Sequence, residues 1–165
     1  MRRTTWLVAA VFAAAVAAAP AAAQEGVSVS GGVLMPIGSL ANNAGTGFAL
    51  TLRDEGPLPW WQLDYRVDVG IEHFPGKSGG QATEYSSFVF NVVHWPSKIL
   101  YDFGGPGLFN PRSGRNGYGT ILGLQGGVGL VADVRYLPFV EFGVSNLFTG
   151  KEQTPWFSVR GGAHF

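Results

Sequence analysis

The chain has 165 residues with 11 basic and 11 acidic side chains, so its formal net charge is zero. It lacks the basic patch that nucleic-acid binding needs, and the absence of cysteine excludes disulfide bonds and thiolate metal sites. A chain of this length forms one domain. Its 25 glycines and 13% aromatic residues favour short strands and turns over helices.

The N-terminal segment has the pattern of a secretory signal peptide. Two arginines precede an apolar run from Trp6 to Ala19, which is shorter than the roughly 20 residues of a membrane-spanning helix. Small residues after Pro20 suit a signal peptidase. We therefore predict cleavage after Ala23, which separates a signal peptide (1–23) from an exported, slightly acidic domain (24–165).

The clearest strand pattern in this domain runs from Trp61 to Glu72. Apolar residues alternate there with polar residues and one glycine, without a break. Only a strand with one apolar and one polar face has this period, and about ten residues cross a bilayer at the tilt of a β-barrel. Seven further strands are predicted at 27–35, 46–53, 84–95, 99–109, 118–132, 135–148 and 155–165.

The connections between these strands alternate in length, as they do in bacterial membrane barrels. Longer outer loops are predicted at Pro36–Gly45, Pro75–Thr83, Asn110–Gly117 and Thr149–Thr154. Short periplasmic turns are predicted at Asp54–Pro59, Pro96–Lys98 and Asp133–Val134. Both termini would then lie on the periplasmic side.

The strand alternation turns the charged residues toward the lumen, since a charge facing lipid at the midplane costs about 2–4 kcal/mol. We predict a lumen network of Asp64, Arg66, Asp68, Glu72, Asn91, Asp102, Glu141 and Arg160, with Ser145 beside it. Glu141 and Arg160 lie on neighbouring predicted strands and are expected partners. We interpret the network as a structural plug; the alternative is an acidic interior that coordinates a cation or guides a solute.

Small and aromatic residues are also placed by this alternation. Four glycines of strand 118–132 share the inward face, where they leave room for larger side chains across a narrow lumen: Gly119, Gly123, Gly127 and Gly129. Aromatic residues near the strand ends are predicted to form two rims facing lipid. The periplasmic rim would hold Trp60, Trp61, Trp95, Tyr101 and Tyr136, and the outer rim Phe74, Tyr85, Phe109 and Tyr118.

The last strand ends the sequence on an aromatic residue. Phe157, Val159 and Phe165 fall on one face, while Trp156, Arg160 and other residues fall on the opposite face. This arrangement resembles the C-terminal signal of bacterial outer-membrane barrels, which the barrel-assembly machinery recognises.

Several segments in order resemble the small outer-membrane barrels of the opacity, outer-membrane protein W and outer-membrane protein A barrel-domain types. They are Ser30–Ser39, Gly47–Leu52, Gly123–Gly129, Phe139–Phe142 and the terminal Phe165. The resemblance implies an all-β, eight-stranded, antiparallel up-and-down transmembrane β-barrel in the outer membrane, surrounded by its lipid. Members of this group serve membrane integrity, adhesion or the passage of small hydrophobic solutes.

Two other classes of function compete with this interpretation. Ser145 and Asn146 near Glu141 resemble the lipid A deacylases among such barrels, but those enzymes carry a histidine where this chain has Gly143. The three histidines lack metal-ligand spacing, so we expect no catalytic residue, metal or cofactor. A soluble lipocalin-like barrel would place the apolar faces inward, which alternation alone permits.

Overall fold

The computed structural model describes residues 26–58, 63–77, 80–112, 119–132, 137–150 and 152–165. Within these ranges eight strands form a closed antiparallel barrel, in which neighbours follow chain order and the last strand pairs with the first. The strands are β1 (Val27–Pro36), β2 (Gly47–Leu58), β3 (Leu63–Phe74), β4 (Thr83–His94), β5 (Leu100–Pro111), β6 (Ile121–Val131), β7 (Pro138–Thr149) and β8 (Glu152–His164). The predicted up-and-down topology is confirmed; the predicted signal peptide lies outside the described residues.

Two connections differ from the prediction because the strands extend further. β2 continues through Leu58, because Asp54–Leu58 pair with β3. The turn predicted at Asp54–Pro59 is therefore wrong for Asp54–Leu58, which belong to the strand. β8 begins at Glu152, which leaves two residues between β7 and β8 instead of the predicted loop. The turn predicted at Asp133–Val134 and most of the loop at Asn110–Gly117 lie outside the described residues.

A short helix, α1 (Gly38–Asn43), lies between β1 and β2, where no helix was predicted. Its Leu40 and the following Ala44 are buried. The Ile37 N–H donates to the Pro155 carbonyl (3.0 Å), and the Gly45 N–H donates to the Pro75 carbonyl (2.7 Å). These bonds attach the segment to β8 and to the β3–β4 connection, across one end of the barrel.

We call this end, with the β1–β2, β3–β4, β5–β6 and β7–β8 connections, the loop end. The opposite end, where β1 starts and β8 stops, is the terminal end. In the described part of the chain, no helix has the length and apolar character needed to cross a membrane.

The strict alternation of side chains gives the barrel two unlike surfaces. The exterior displays large apolar side chains from all eight strands: Val33, Met35, Phe48, Leu52, Val69, Ile71, Phe88, Phe90, Val92, Leu108, Leu122, Leu124, Val128, Leu130, Val140, Phe142, Val144, Phe148 and Phe157. The interior holds two apolar clusters and a set of buried polar side chains. Many large apolar side chains therefore face away from the core, whereas charged side chains are buried in it.

The first interior group, the loop-end cluster, closes the barrel below α1. It consists of Leu34, Leu40, Ala44, Ala49, Phe74, Tyr85, Val89, Phe109, Ile121, Leu147 and Trp156. The terminal-end cluster consists of Val93, Tyr101, Phe103, Val131 and Phe139, with Trp95 packed against it. The remaining interior is occupied by the polar network: Ser28, Ser30, Thr51, Arg53, Arg66, Asp68, Glu72, Ser87, Asn91, Gln125, Glu141, Ser145, Ser158 and Arg160.

Inward glycines sit directly opposite interior aromatic rings. Tyr101 pairs in register with Gly129, and Phe103 pairs with Gly127. A Cβ atom on Gly127 would lie 2.9 Å from Cζ of Phe103, and one on Gly129 would overlap the Tyr101 ring. Because an eight-stranded barrel is only wide enough for its side chains, each ring depends on a glycine across from it.

Adjacent glycines of β8 provide a matched test of this packing. In Gly162→Ala the new methyl group would meet the Phe139 ring, 2.6 Å from Cζ, and backbone of β1. Such overpacking should lower the free energy of unfolding by about 1–3 kcal/mol. In Gly161→Ala the methyl group points outward, with the Phe139 carbonyl at 3.7 Å, so stability should hold. Urea unfolding in micelles measures the stability of both variants. Equal losses of unfolding free energy in the two would contradict the packing described.

Candidate functional site in the barrel interior

The structure brings most of the predicted lumen residues together inside the barrel. Arg66, Asp68, Glu72, Asn91, Glu141 and Arg160 are buried there, and so is Ser145. Asp64 is half-buried at the terminal end, where its Oδ2 accepts a hydrogen bond from Nε1 of Trp95 (2.8 Å).

Glu141 is the most heavily bonded carboxylate of this interior. Its Oε1 accepts hydrogen bonds from Nη1 of Arg53 (2.9 Å), Nη1 of Arg66 (2.7 Å) and the Tyr101 hydroxyl (2.7 Å). Its Oε2 pairs with Nη2 of Arg53. Arg53 thus holds Glu141 through two parallel bonds, the geometry in which guanidinium and carboxylate bind most strongly.

Asp68 is the second acceptor for the same two arginines. Its Oδ1 lies 3.3 Å from Nε of Arg53 and 3.2 Å from Nε of Arg66. Its Oδ2 accepts from the side-chain amides of Asn91 (3.1 Å) and Gln125 (3.3 Å). Two arginines therefore lie between two carboxylates, so each charge has opposite charges as neighbours.

A third pair of charges completes the network. Glu72 accepts a hydrogen bond from the Ser87 hydroxyl (2.8 Å), and Arg160 donates to Oγ1 of Thr51 (3.5 Å). Glu72 and Arg160 also attract each other electrostatically. Among the described residues, three fully buried arginines balance three fully buried carboxylates, so the formal charges at the centre of the interior sum to zero.

The arginines also contact the terminal-end cluster through its aromatic rings. Cζ of Arg66 lies 3.9 Å from the centre of the Phe103 ring, and Cζ of Arg53 lies 4.8 Å from that of Phe139. Guanidinium groups are attracted to aromatic faces, most strongly away from water. The polar and aromatic groups of the interior therefore hold each other in place.

Arg53 was missed by the lumen prediction, which ended the second strand at this residue. The signal was present: Ala49, Thr51 and Arg53 alternate with Phe48, Leu50 and Leu52. This parity places Arg53 on the inward face within the predicted bounds of the strand.

Two predictions about charged residues are wrong. Asp102 lies on the exterior, where its side chain is 55% exposed and pairs with His94 (2.9 Å). The cause is the phase of β5, in which Tyr101 and Phe103 take the interior positions. The expected pair of Glu141 with Arg160 is also wrong: they are opposite in register, but Glu141 binds Arg53 and Arg66.

The prediction of aromatic rims facing lipid is wrong for each predicted residue that the structure describes. Phe74, Tyr85, Tyr101 and Phe109 are buried in the interior, and Trp95 packs against the terminal-end cluster. Trp156 is at the centre of the loop-end cluster, stacked on Tyr85 at 6.0 Å and edge-on to Phe74 and Phe109. Trp60, Trp61, Tyr118 and Tyr136 lie outside the described residues.

The C-terminal strand is fully integrated into the barrel. Phe157 is exposed on the exterior, and Val159 occupies the same face. The Phe165 N–H donates to the Val27 carbonyl at 2.8 Å, so pairing with β1 continues to the last residue. The described residues contain no cluster of three histidine, aspartate or glutamate side chains that could hold a metal ion.

Comparison with known proteins gives a likeness in fold and none in sequence family. No protein-family model matches the chain, and no curated protein matches its sequence. Among solved structures, it is similar to the Yersinia pestis outer membrane protein Ail in a phospholipid bilayer nanodisc, with a TM-score of 0.55. The two share 16% sequence identity over 86% of this chain and 100% of Ail. This chain has the fold of a small outer-membrane barrel.

The charge network predicts a large effect for Glu141→Ala. Removing this carboxylate leaves Arg53 and Arg66 short of a partner in the interior, which should cost about 3–5 kcal/mol of unfolding free energy. Asp102→Ala removes a carboxylate from the solvent-exposed pair with His94 and should change little. Chemical unfolding of both variants in micelles is the measurement, and a small loss for Glu141→Ala would contradict the role of the network.

The Tyr101 hydroxyl should contribute separately to the same network. Tyr101→Phe removes one donor to Glu141, and hydrogen bonds to charged groups stabilise by about 1.5–3 kcal/mol. Tyr65→Phe is the matched control, because its hydroxyl donates to Asp54 on the exposed surface at 3.3 Å. The same assay should show a clear loss of unfolding free energy for Tyr101→Phe and little change for Tyr65→Phe.

Proposed function

We propose that this chain is an integral outer-membrane β-barrel protein, exported by the signal peptide 1–23, with a structural or surface-interaction role and a plugged polar interior. The observation that carries the proposal is the inverted distribution of side chains. Large apolar groups from all eight strands face outward, while three arginines and three carboxylates are buried inside.

The apolar exterior supports lipid as the surrounding medium. Soluble monomers rarely expose a continuous apolar patch above a few hundred Å², and this belt encircles the barrel. A lipocalin-like soluble barrel needs an apolar pocket and a polar exterior, which is the opposite arrangement. Strands of 10 to 13 residues also match the length that crosses a membrane at barrel tilt.

Polar pairs on the exterior mark the two edges of this belt. His94 with Asp102 lies near the terminal end, and His73 with Glu84 lies near the loop end, each with nitrogen and oxygen 2.8–2.9 Å apart. Such groups are tolerated in the headgroup regions, where the cost of a charge is low. The belt between them is therefore the part that we place in the hydrocarbon core.

The filled interior supports a structural role over the runner-up, a narrow channel for small hydrophobic solutes. Such a solute would have to pass two apolar clusters and a layer of six charges that is stabilised by mutual pairing. The β7–β8 connection is also short, so contacts with external partners would rest on the other loop-end connections.

The interior position of Ser145 argues against the lipid A deacylase alternative. Its side chain is 1% exposed, and neighbouring Glu141 is engaged by two arginines and a tyrosine. A nucleophile at this position would have no access to lipid acyl chains. The proposal therefore includes no catalysis, metal or cofactor.

The last strand supports assembly by the barrel-assembly machinery. Phe157 and Val159 share the outward face, and Phe165 follows the strand and donates its N–H to the Val27 carbonyl.

Electrophoretic mobility tests the membrane-barrel proposal directly. The mature protein, folded in detergent micelles, should migrate differently in SDS with and without boiling, because a closed barrel keeps its hydrogen bonds in detergent. Partition of the protein into membranes is the second readout. A mobility that boiling leaves unchanged, together with solubility in plain buffer, would overturn the proposal.

A charge placed on the belt should show where the membrane lies. Val69 is 51% exposed near the middle of β3, so Val69→Arg should lower stability in lipid vesicles by about 2–4 kcal/mol. Leu100→Arg, at the first position of β5, should cost far less because its guanidinium reaches the headgroups. Equal costs at both positions would contradict the placement of the belt.

A further inference from the structure

The loop-end cluster closes the barrel around its whole circumference. Every strand contributes an apolar side chain to it: Leu34, Ala49, Phe74, Tyr85, Phe109, Ile121, Leu147 and Trp156, in order from β1 to β8. Leu40 and Ala44 of the α1 segment cover it from the loop side. An apolar constriction of this kind excludes water and ions without any charged gate.

The terminal-end cluster, in contrast, is supplied by only half of the strands. Its described members come from β4, β5, β6 and β7. The inward positions of β8, β1, β2 and β3 at this end hold polar side chains or glycine: His164 and Gly162, Ser28 and Ser30, Arg53 and Glu55, Asp64 and Arg66. The wall formed by these four strands is therefore polar or glycine from the terminal end to the central charges, and the Phe139 ring lies against part of it, at Gly162, His164 and Arg53.

The residues of this wall differ in exposure. Glu55, Asp64 and His164 are half-buried at the terminal end, whereas Ser28, which is opposite His164 in register, is fully buried, as are Ser30 and Arg66. Several polar atoms along this wall have no hydrogen-bond partner in the described protein, including the hydroxyls of Ser28 and Ser30 and Nε of Arg160. Buried polar atoms are rarely unpaired, and internal water is their usual partner.

We propose that the lumen is a blind polar vestibule, which water and small hydrophilic ions enter from the terminal end along β8, β1, β2 and β3. The loop-end cluster is its closed end. This inference rests on the membrane placement proposed above. It implies that the interior is accessible to solvent from one side of the membrane only.

The chain contains no cysteine, so an introduced thiol is a unique reporter of access. Ser30→Cys places a thiol on the polar side of the lumen. Ala49→Cys, on neighbouring β2, places one in the loop-end cluster at similar burial and is the matched control. Each folded variant is inserted into phospholipid vesicles, and the direction of insertion is determined by protease digestion of an N-terminal tag. A charged methanethiosulfonate reagent is then added from one side.

The Ser30→Cys variant should react at least about tenfold faster from the terminal side than from the loop side, since an apolar constriction blocks the second route. The Ala49→Cys variant should react slowly from both sides. Equal rates from both sides, or faster reaction from the loop side, would overturn the proposal for Ser30→Cys. So would a lack of reaction from either side, provided that the urea-unfolded variant reacts.

A second substitution tests whether the loop-end cluster is the closed end. Adding Trp156→Ala to Ser30→Cys should raise reactivity from the loop side toward that from the terminal side. Leu147→Ala is a milder replacement in the same cluster if Trp156→Ala fails to fold, which the heat-dependent mobility shift reports. Unchanged loop-side reactivity in a folded double variant would place the barrier elsewhere. Failure of the parent to insert into vesicles would instead refute the membrane proposal itself.

Discussion

The pairing of Arg53 and Arg66 with Glu141 and Asp68 is the interaction on which this barrel depends. Removing a charge from water costs several kcal/mol, and the cost is offset only where opposite charges and hydrogen bonds surround it. The network meets this condition by alternating charges across the lumen, with Tyr101, Asn91 and Gln125 as additional donors. Its members come from β2 to β7, so the network forms only when the barrel closes.

Aromatic packing complements this network and is equally dependent on closure. The terminal-end rings of Phe103 and Phe139 receive the two guanidinium groups, and the glycines opposite them provide the space. At the loop end Trp156 lies at the centre of the apolar cluster, in contact with three other rings. The interior is thus organised as an apolar closure, a charged centre and a second closure that is apolar on one side only. This asymmetry gives the barrel a direction, which a uniformly polar lumen would lack.

The likeness to Ail agrees with this description of the fold and adds nothing about the side chains of the interior. At 16% identity it establishes a shared fold, and the side-chain network belongs to this chain's own residues. An apolar exterior and compensated charges inside are the physical reasons for which we propose a membrane barrel.

The local period of two residues allowed much of the barrel to be predicted. Trp61–Glu72, the glycine-rich β6 and the terminal strand each show which face is apolar, and most lumen charges follow from that. Strand phase was less predictable where both faces carry apolar residues. In β5, Asp102 could be placed inward only by turning Tyr101 and Phe103 outward, and no local pattern showed that these rings fill the lumen. The aromatic rims were wrong for the same reason, because a ring near a strand end packs equally well against lipid or a glycine across the lumen.

The sequence by itself determined that eight amphipathic strands would alternate with turns, since side-chain direction in a strand depends only on residue parity. It also determined that most charges would avoid the middle of the apolar face. Only the tertiary structure decided which charges meet: Glu141 is opposite Arg160 in register, yet it binds arginines from β2 and β3 across the lumen. Contacts across a closed barrel depend on its diameter, shear and side-chain lengths together, and none of these is encoded in the order of residues along one strand.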